Sequence, residues 1–180
     1  MDFALLAAAV PAGLRRLLLI AASLIVAACG FHLRGAYDMP FDTIYINLPE
    51  TAELRLALKR NIEAATTTRV VNDAKAAKAM VSVLSDMPSK IVLSLSSAGQ
   101  VTEYQLVRSF AFRVHDAANR DLLPLSQIVI RRDISYSNLQ VLSKEAEEAQ
   151  IWRDIQNDLV QQMIRRIAAA RPTAASPDQN

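Results

Sequence analysis

Val101-Thr-Glu-Tyr-Gln-Leu-Val-Arg-Ser-Phe-Ala-Phe-Arg-Val-His115 decides the fold. In an extended chain Tyr104, Leu106, Phe110, Phe112 and Val114 share one face, with Arg108 the exception. Glu103, Gln105, Ser109, Arg113 and His115 share the other. A period of two over this length is the mark of a strand with one core face and one wet face, as in antiparallel sheets. At roughly 3.4 Å per residue the strand reaches about 50 Å, long for a globular domain. Upstream, Ser97-Ala98-Gly99-Gln100 is a turn. Met80 to Ser96 before it reads as a long strand interrupted at Pro88, where Ile91, Leu93 and Leu95 alternate with Val92, Ser94 and Ser96. Proline cannot donate to a ladder, so Pro88 marks an edge or a bulge. Downstream, Asp116 to Asp121 is a turn. Leu125 to Tyr136 is a further strand, with Ile128, Ile130, Ile134 and Tyr136 on one face and Gln127, Arg131, Asp133 and Ser135 on the other.

The flanks complete the pattern. Thr43 to Leu48 alternates and is rich in strand formers, and Pro49 ends it. Thr51 can cap a helix in which Leu54, Leu58, Ile62 and Ala65 recur at helical spacing. That helix ends in the β-branched run Thr66-Thr67-Thr68. Arg69 to Val71 is a short strand candidate, and Asp73 to Lys78 a polar connection. Ser143 can cap a long last helix with Glu145, Glu147 and Glu148 early and Arg165, Arg166 and Arg171 late, as the helix dipole favours. Its apolar stripe is Ala149, Trp152, Ile155, Leu159, Met163 and Ile167, with Trp152 in the core. The expected fold is α+β: a two-layer sandwich with two helices packed on one face of a four-stranded mixed sheet, containing a long β-hairpin. The first β-α-β unit should be a parallel, right-handed crossover.

The N-terminus reads as an address rather than as fold. Arg15-Arg16 precede an apolar run from Leu17 to Val26, too short for a bilayer span of about 20 helical residues. Val26-Ala27-Ala28-Cys29-Gly30 follows, with small residues before the chain's single cysteine. This arrangement is similar to a bacterial lipoprotein signal, in which the cysteine thiol takes a diacylglycerol and the chain is cut before it. Residues 1–28 are then a removed signal peptide, Cys29 is the lipidation site, 29–171 is the domain and 172–180 a disordered tail. Two or three acyl chains give stable anchoring. Gly30, rather than Asp, after Cys29 points to the outer membrane.

Composition narrows the function. The chain has 180 residues, 52% apolar and 21% charged, a globular balance. A formal net charge of +2 is too small to argue for nucleic-acid binding. One cysteine and two histidines argue against a disulfide or a catalytic metal site. Four glycines and 6% aromatics argue against phosphate loops and stacking platforms. No GxSxG, P-loop, HExxH or EF-hand pattern occurs. No catalytic residues, cofactor or metal are expected, and His115 should be a surface residue at a strand end. What remains is a wet sheet face with Arg113, Arg131, Arg132 and Lys90, and Lys144 at the start of the last helix, where a cation opposes the dipole. Arg and Lys are the residues that hold phosphates, so an anion-contacting surface is the candidate site.

Cys29-Gly30-Phe31-His32-Leu33-Arg34-Gly35 and Gly99-Gln100-Val101-Thr102-Glu103-Tyr104-Gln105 resemble two landmarks of the LptE family of lipopolysaccharide-assembly lipoproteins. The order of elements agrees over nearly all of Cys29 to Arg171. The resemblance implies an α/β sandwich that plugs the lumen of the LptD β-barrel, helps it fold and binds lipopolysaccharide through basic side chains. One such position, early in the last helix, matches Lys144. Another, in the turn before Gly-Gln, falls in Ser96-Ser97-Ala98, which holds no cation. Arg132, Arg131 or Lys90 would have to compensate. A barrel lumen is polar, which suits a mixed surface of near-balanced charge. The competing expectation is a free, periplasm-facing lipid-binding lipoprotein with no barrel partner, which would need a deep apolar pocket.

Overall fold

Two short apolar pairs and three long alternating runs build one sheet. The computed structural model describes residues 38–137 and 140–170, with Gly13 as an isolated position. The expected signal peptide (Gly13 apart), Cys29, His32, the first family landmark and the expected tail lie outside the described residues. The chain divides into Met1–Gly35 and Ala36–Asn180, and every element below belongs to the second unit.

Strand β1 (Thr43–Asn47) is followed by helix α1 (Glu53–Ala65) and strand β2 (Arg69–Val71). A 3-10 turn at Ala74–Ala76, capped by the Asp73 carboxylate, leads into β3 (Ala79–Leu95). Then come β4 (Val101–His115), β5 (Asp121–Ser135) and helix α2 (Val141–Ala168). The sheet order is β2-β1-β3-β4-β5. Strand β1 is parallel to both β2 and β3, and β3-β4-β5 is an antiparallel meander.

The sheet is mixed and both helices cover one face, as the alternation requires. It has five strands rather than four, because Arg69–Val71 pairs with Thr43, Ile44 and Tyr45. The buried Thr68 hydroxyl, donating to the Phe41 carbonyl at 2.8 Å, sets that segment beside β1. Strand β4 has the bounds the alternation gives, and Leu106, Phe110, Phe112 and Val114 on its inner face are fully buried.

Several local expectations are corrected. Pro88 does not interrupt β3: it sits opposite Arg108 in a continuous ladder, and the irregularities fall at Leu84 and around Leu93 and Ser94. Strand β1 reaches only Ala79–Ser82 of β3, so the outer edge is open at Pro88 and the missing N–H costs nothing there. Strand β5 begins at Asp121, four residues early, because Asp116 closes a tighter turn. Its carboxylate accepts from the Ala118 and Arg120 N–H groups, with Asn119 at φ 61°. Neither Thr51 nor Ser143 is a helix cap. The cap positions are Ala52 and Gln140, neither with a side-chain hydrogen bond, and the Ser143 hydroxyl instead donates to the Gln140 carbonyl.

One apolar cluster joins the layers. Leu54, Leu58 and Ile62 of α1 and Ile155, Leu159, Val160, Met163, Ile164 and Ile167 of α2 meet the inner sheet face. Ala149 is exposed and Trp152 only half-buried, because α2 packs from Ile151 onward. Its first ten residues stand largely clear, Leu142 being 83% exposed. Among the described residues no helix is long and apolar enough to cross a membrane.

Candidate functional site

The register sorts the cations by face. Lys90, Leu106 and Arg132 lie opposite one another across three strands, in one row on the helix-covered side. Ser89, Val107 and Arg131 form the next row, which faces the open side. Arg131 and Arg132 therefore point away from each other, and the wet-face grouping with Lys90 is corrected. Only Arg131 and Arg113 belong to the open face.

On the covered side each strand of the meander reaches up to α2. Lys90 Nζ meets Glu148 Oε2 at 2.6 Å. Arg108, the intruder on the apolar face of β4, donates to both Asp86 oxygens (2.8 and 2.7 Å) and to Gln156 Oε1 at 3.0 Å. Arg132 pairs with Asp158. These three clasps span ten helical positions, about 15 Å of helix axis. Arg108 is thus a satisfied core-edge cation, which explains why a charge breaks the β4 pattern.

Lys90 and Lys144 are the two predicted residues that the fold brings to one end of α2. Lys144 Nζ donates to Ser135 Oγ at 2.9 Å and to Glu147 Oε2 at 2.8 Å, and its side chain is 15% exposed. Lys90 Nζ sits 4.1 Å from the centre of the Tyr104 ring, a cation–π distance. Tyr104 packs edge-to-face on Tyr136, with centroids 5.2 Å apart. The cluster holds two lysines, two adjacent glutamates and two tyrosines. A phosphate entering here would have to displace Glu147 or Glu148 from its lysine. Arg132 stands further along the helix, and Arg131 is on the other side of the sheet. Among the described residues the Arg131 guanidinium has no hydrogen bond or ion pair.

The open face is mixed rather than uniformly wet. Met87 and Val129 flank Ser109, and Ile91 lies opposite Gln105, which donates to Asp133 at 2.8 Å. Met87, Ile91, Val129 and Leu125 are exposed. At the far end of β4, His115 is not a surface residue: it is 9% exposed. Its Nε2 lies 2.9 Å from Ser82 Oγ and its Nδ1 3.0 Å from the Asp116 carbonyl. The carbonyl can only accept, so Nδ1 carries a proton and, in the neutral ring, Nε2 accepts from Ser82. The pairing crosses strands at a separation of 33 residues, beyond any local spacing signal. Among the described residues no cluster of His, Cys, Asp and Glu is arranged to hold a metal.

The chain resembles known proteins along nearly the whole described fold. The LptE lipopolysaccharide-assembly family model matches residues 41–167. The LPS-assembly lipoprotein LptE of Pectobacterium atrosepticum is 28% identical over 150 residues, 81% of this chain and 80% of that protein. The corresponding protein of Yersinia enterocolitica is 25% identical over 154 residues, 84% of this chain and 73% of that protein. Among solved structures, an uncharacterized lipoprotein B from Nitrosomonas europaea superposes with a TM-score of 0.68 at 36% identity, covering 78% of this chain and 91% of that one. A minor lipoprotein from Acinetobacter baumannii shares the fold, with a TM-score of 0.60 at 23% identity over 73% of this chain and 93% of that one.

Proposed function

The chain belongs to the LptE lipopolysaccharide-assembly family, and from that premise we propose that it is an outer-membrane lipoprotein that plugs and helps assemble the LptD β-barrel and takes part in inserting lipopolysaccharide. Cys29 carries the lipid anchor, the domain acts without catalysing a covalent reaction, and its partners are the barrel and lipopolysaccharide. The observation that carries the reading is the extent of the family match, which runs from two residues before β1 to the penultimate residue of α2. The surface is compatible with it. A lumen is polar and its plug needs many side-chain hydrogen bonds and modest apolar contact; the open sheet face offers Ser, Gln and Arg side chains between single exposed Met, Ile and Val residues. Lys144 and Lys90 are the cations assigned to lipopolysaccharide phosphates. Arg131 on the open face is a second contact, and Arg132 holds α2 in place.

The test is purification of the tagged chain from outer membranes in mild detergent, with the mass and stoichiometry of its companions measured. An equimolar large β-barrel is the expected result. A chain that purifies alone would overturn the plug and leave a free envelope lipoprotein, for which lipid binding by the isolated domain is the measurement. Lys144→Ala that leaves lipopolysaccharide capture unchanged would remove Lys144 from the contact surface.

A further inference from the structure

Two residues that break local patterns meet beside a third that is unique in the chain. Pro88 interrupts the donors of β3, Arg108 breaks the apolar face of β4, and Trp152 is the chain's single tryptophan. With Glu53, Arg153 and Gln156 they line an open cleft of about 500 Å³ between the start of α1, the middle of the hairpin and the middle of α2. The cleft exists because β1 leaves β3 after Ser82, so no strand or helix fills the space beside Pro88. Its volume is within the range of small-molecule sites, roughly 300–1,000 Å³.

The lining has a definite chemistry. Trp152 is half-buried against the core and offers an aromatic surface to the cleft. Pro88 adds an apolar edge with no N–H. The Glu53 carboxylate makes no hydrogen bond or ion pair among the described residues. Among the described residues Arg153 donates only to the neutral Gln150 Oε1, at 3.1 and 2.7 Å, and is bound to no carboxylate. Arg108 is neutralised by Asp86 and holds Gln156 in position. The cleft therefore presents one free acceptor carboxylate, one donor guanidinium, a fixed carboxamide and an aromatic face, with no net excess of either charge. An anion would meet Glu53, and a purely apolar ligand would leave Glu53 and Arg153 unpaired. A polyhydroxylated ring satisfies both: its C–H face lies on the indole while its hydroxyls donate to Glu53 and accept from Arg153 and Gln156.

We propose that this cleft is a saccharide site taking one or two pyranose rings. The proposal rests on the lipopolysaccharide-assembly reading, which supplies a glycan as the natural source, and it is separate from the phosphate contacts at Lys144 and Lys90. The probe is the lipid-free core oligosaccharide released from lipopolysaccharide by mild acid, titrated into the purified full chain. Trp152 emission reads the cleft directly, since no other tryptophan contributes, and saturation-transfer NMR reads the sugar protons independently. A saturable emission shift is expected, with Glu53→Gln and Arg153→Gln each weakening binding at least fivefold. Glu53 and Arg153 are exposed, so these variants fold. Trp152→Phe, which preserves packing, should reduce the NMR transfer at least fivefold. No saturable response in either measurement overturns the cleft, as does a response that Glu53→Gln and Arg153→Gln leave unaltered. Capture of intact lipopolysaccharide is scored in parallel. If it survives while the oligosaccharide fails, only the cleft falls. If both fail, the lipopolysaccharide reading falls with it.

Discussion

Arg55 shows how much a single side chain can carry without advertising it. It sits between Leu54 and Leu56 in the first turn of α1, where a charge reads as solvent-facing, yet it is 4% exposed. Its guanidinium donates to the carbonyls of Ile46 (2.6 Å) and Leu48 (2.9 Å) and to Asn72 Oδ1 (3.1 Å), tying α1 to the end of β1 and the exit of β2. Arg55→Ala strands those acceptors in a low-dielectric site and should cost about 3 kcal/mol, measured as a lowered denaturant midpoint at unchanged slope. Arg55→Lys keeps the charge on a single donor nitrogen in place of the two that Arg55 uses, and should fall between. None of the three acceptors lies within a helical turn of Arg55, which is why the helical pattern could not reveal the role. Asp116 is the converse, a residue whose turn role a reader of the sequence can guess. Hydrogen bonds from the Arg120 backbone N–H and then from its guanidinium hold the Asp116 carboxyl below the ordinary 3.8. A folded value below the unfolded one stabilises the fold above that pH and is lost as the pH falls through it. Asp116→Asn should therefore flatten the acid limb of the stability profile below about pH 4 and leave the neutral limb parallel to that of the parent.

At the scale of elements, the hairpin and the last helix carry separable predictions. Gly99 closes the β3–β4 turn at φ 75°, and a methyl group there would meet nothing within 4 Å. Gly99→Ala thus isolates backbone strain and should cost about 1 kcal/mol, read by thermal denaturation. Arg131 and Arg132 are neighbours with opposite duties. Arg132→Ala breaks the exposed pair with Asp158 and should cost about 0.5 kcal/mol. Arg131→Ala should change stability by less than that while reducing recovery of the barrel with the purified chain. The parity of β5 carries this split, since Ile128, Ile130 and Ile134 share a face with Arg132, and placing both arginines on the wet face overlooked it. The clasps themselves were not readable, because they depend on where α2 crosses the sheet, and that is fixed by packing of Ile155, Leu159 and Met163 rather than by any strand pattern.

Across the whole molecule, what was legible followed from repetition. Period two over fifteen residues gave β4 its bounds and faces, and the flanking runs gave the meander and both helices. What failed was short or non-local: the count of four strands, which left out the correctly bounded candidate Arg69–Val71, the helix starts that lack capping side chains, and the Ser82–His115 pairing. The same contrast between local and distant partners governs how the fold can be reached. Strands β3, β4 and β5 follow one another through tight turns, whereas five-residue β1 is completed only when β3 arrives beside it. Early closure is cheapest for neighbours in sequence. Pulse-labelled hydrogen exchange during refolding should show the β4 and β5 amides protected before those of Ile44 and Ile46. A chain threaded out N-terminus first presents these two apolar residues long before their cover exists. Its assembly therefore runs against the direction of its delivery, and the interval between the two is the window in which an unaccompanied copy would aggregate.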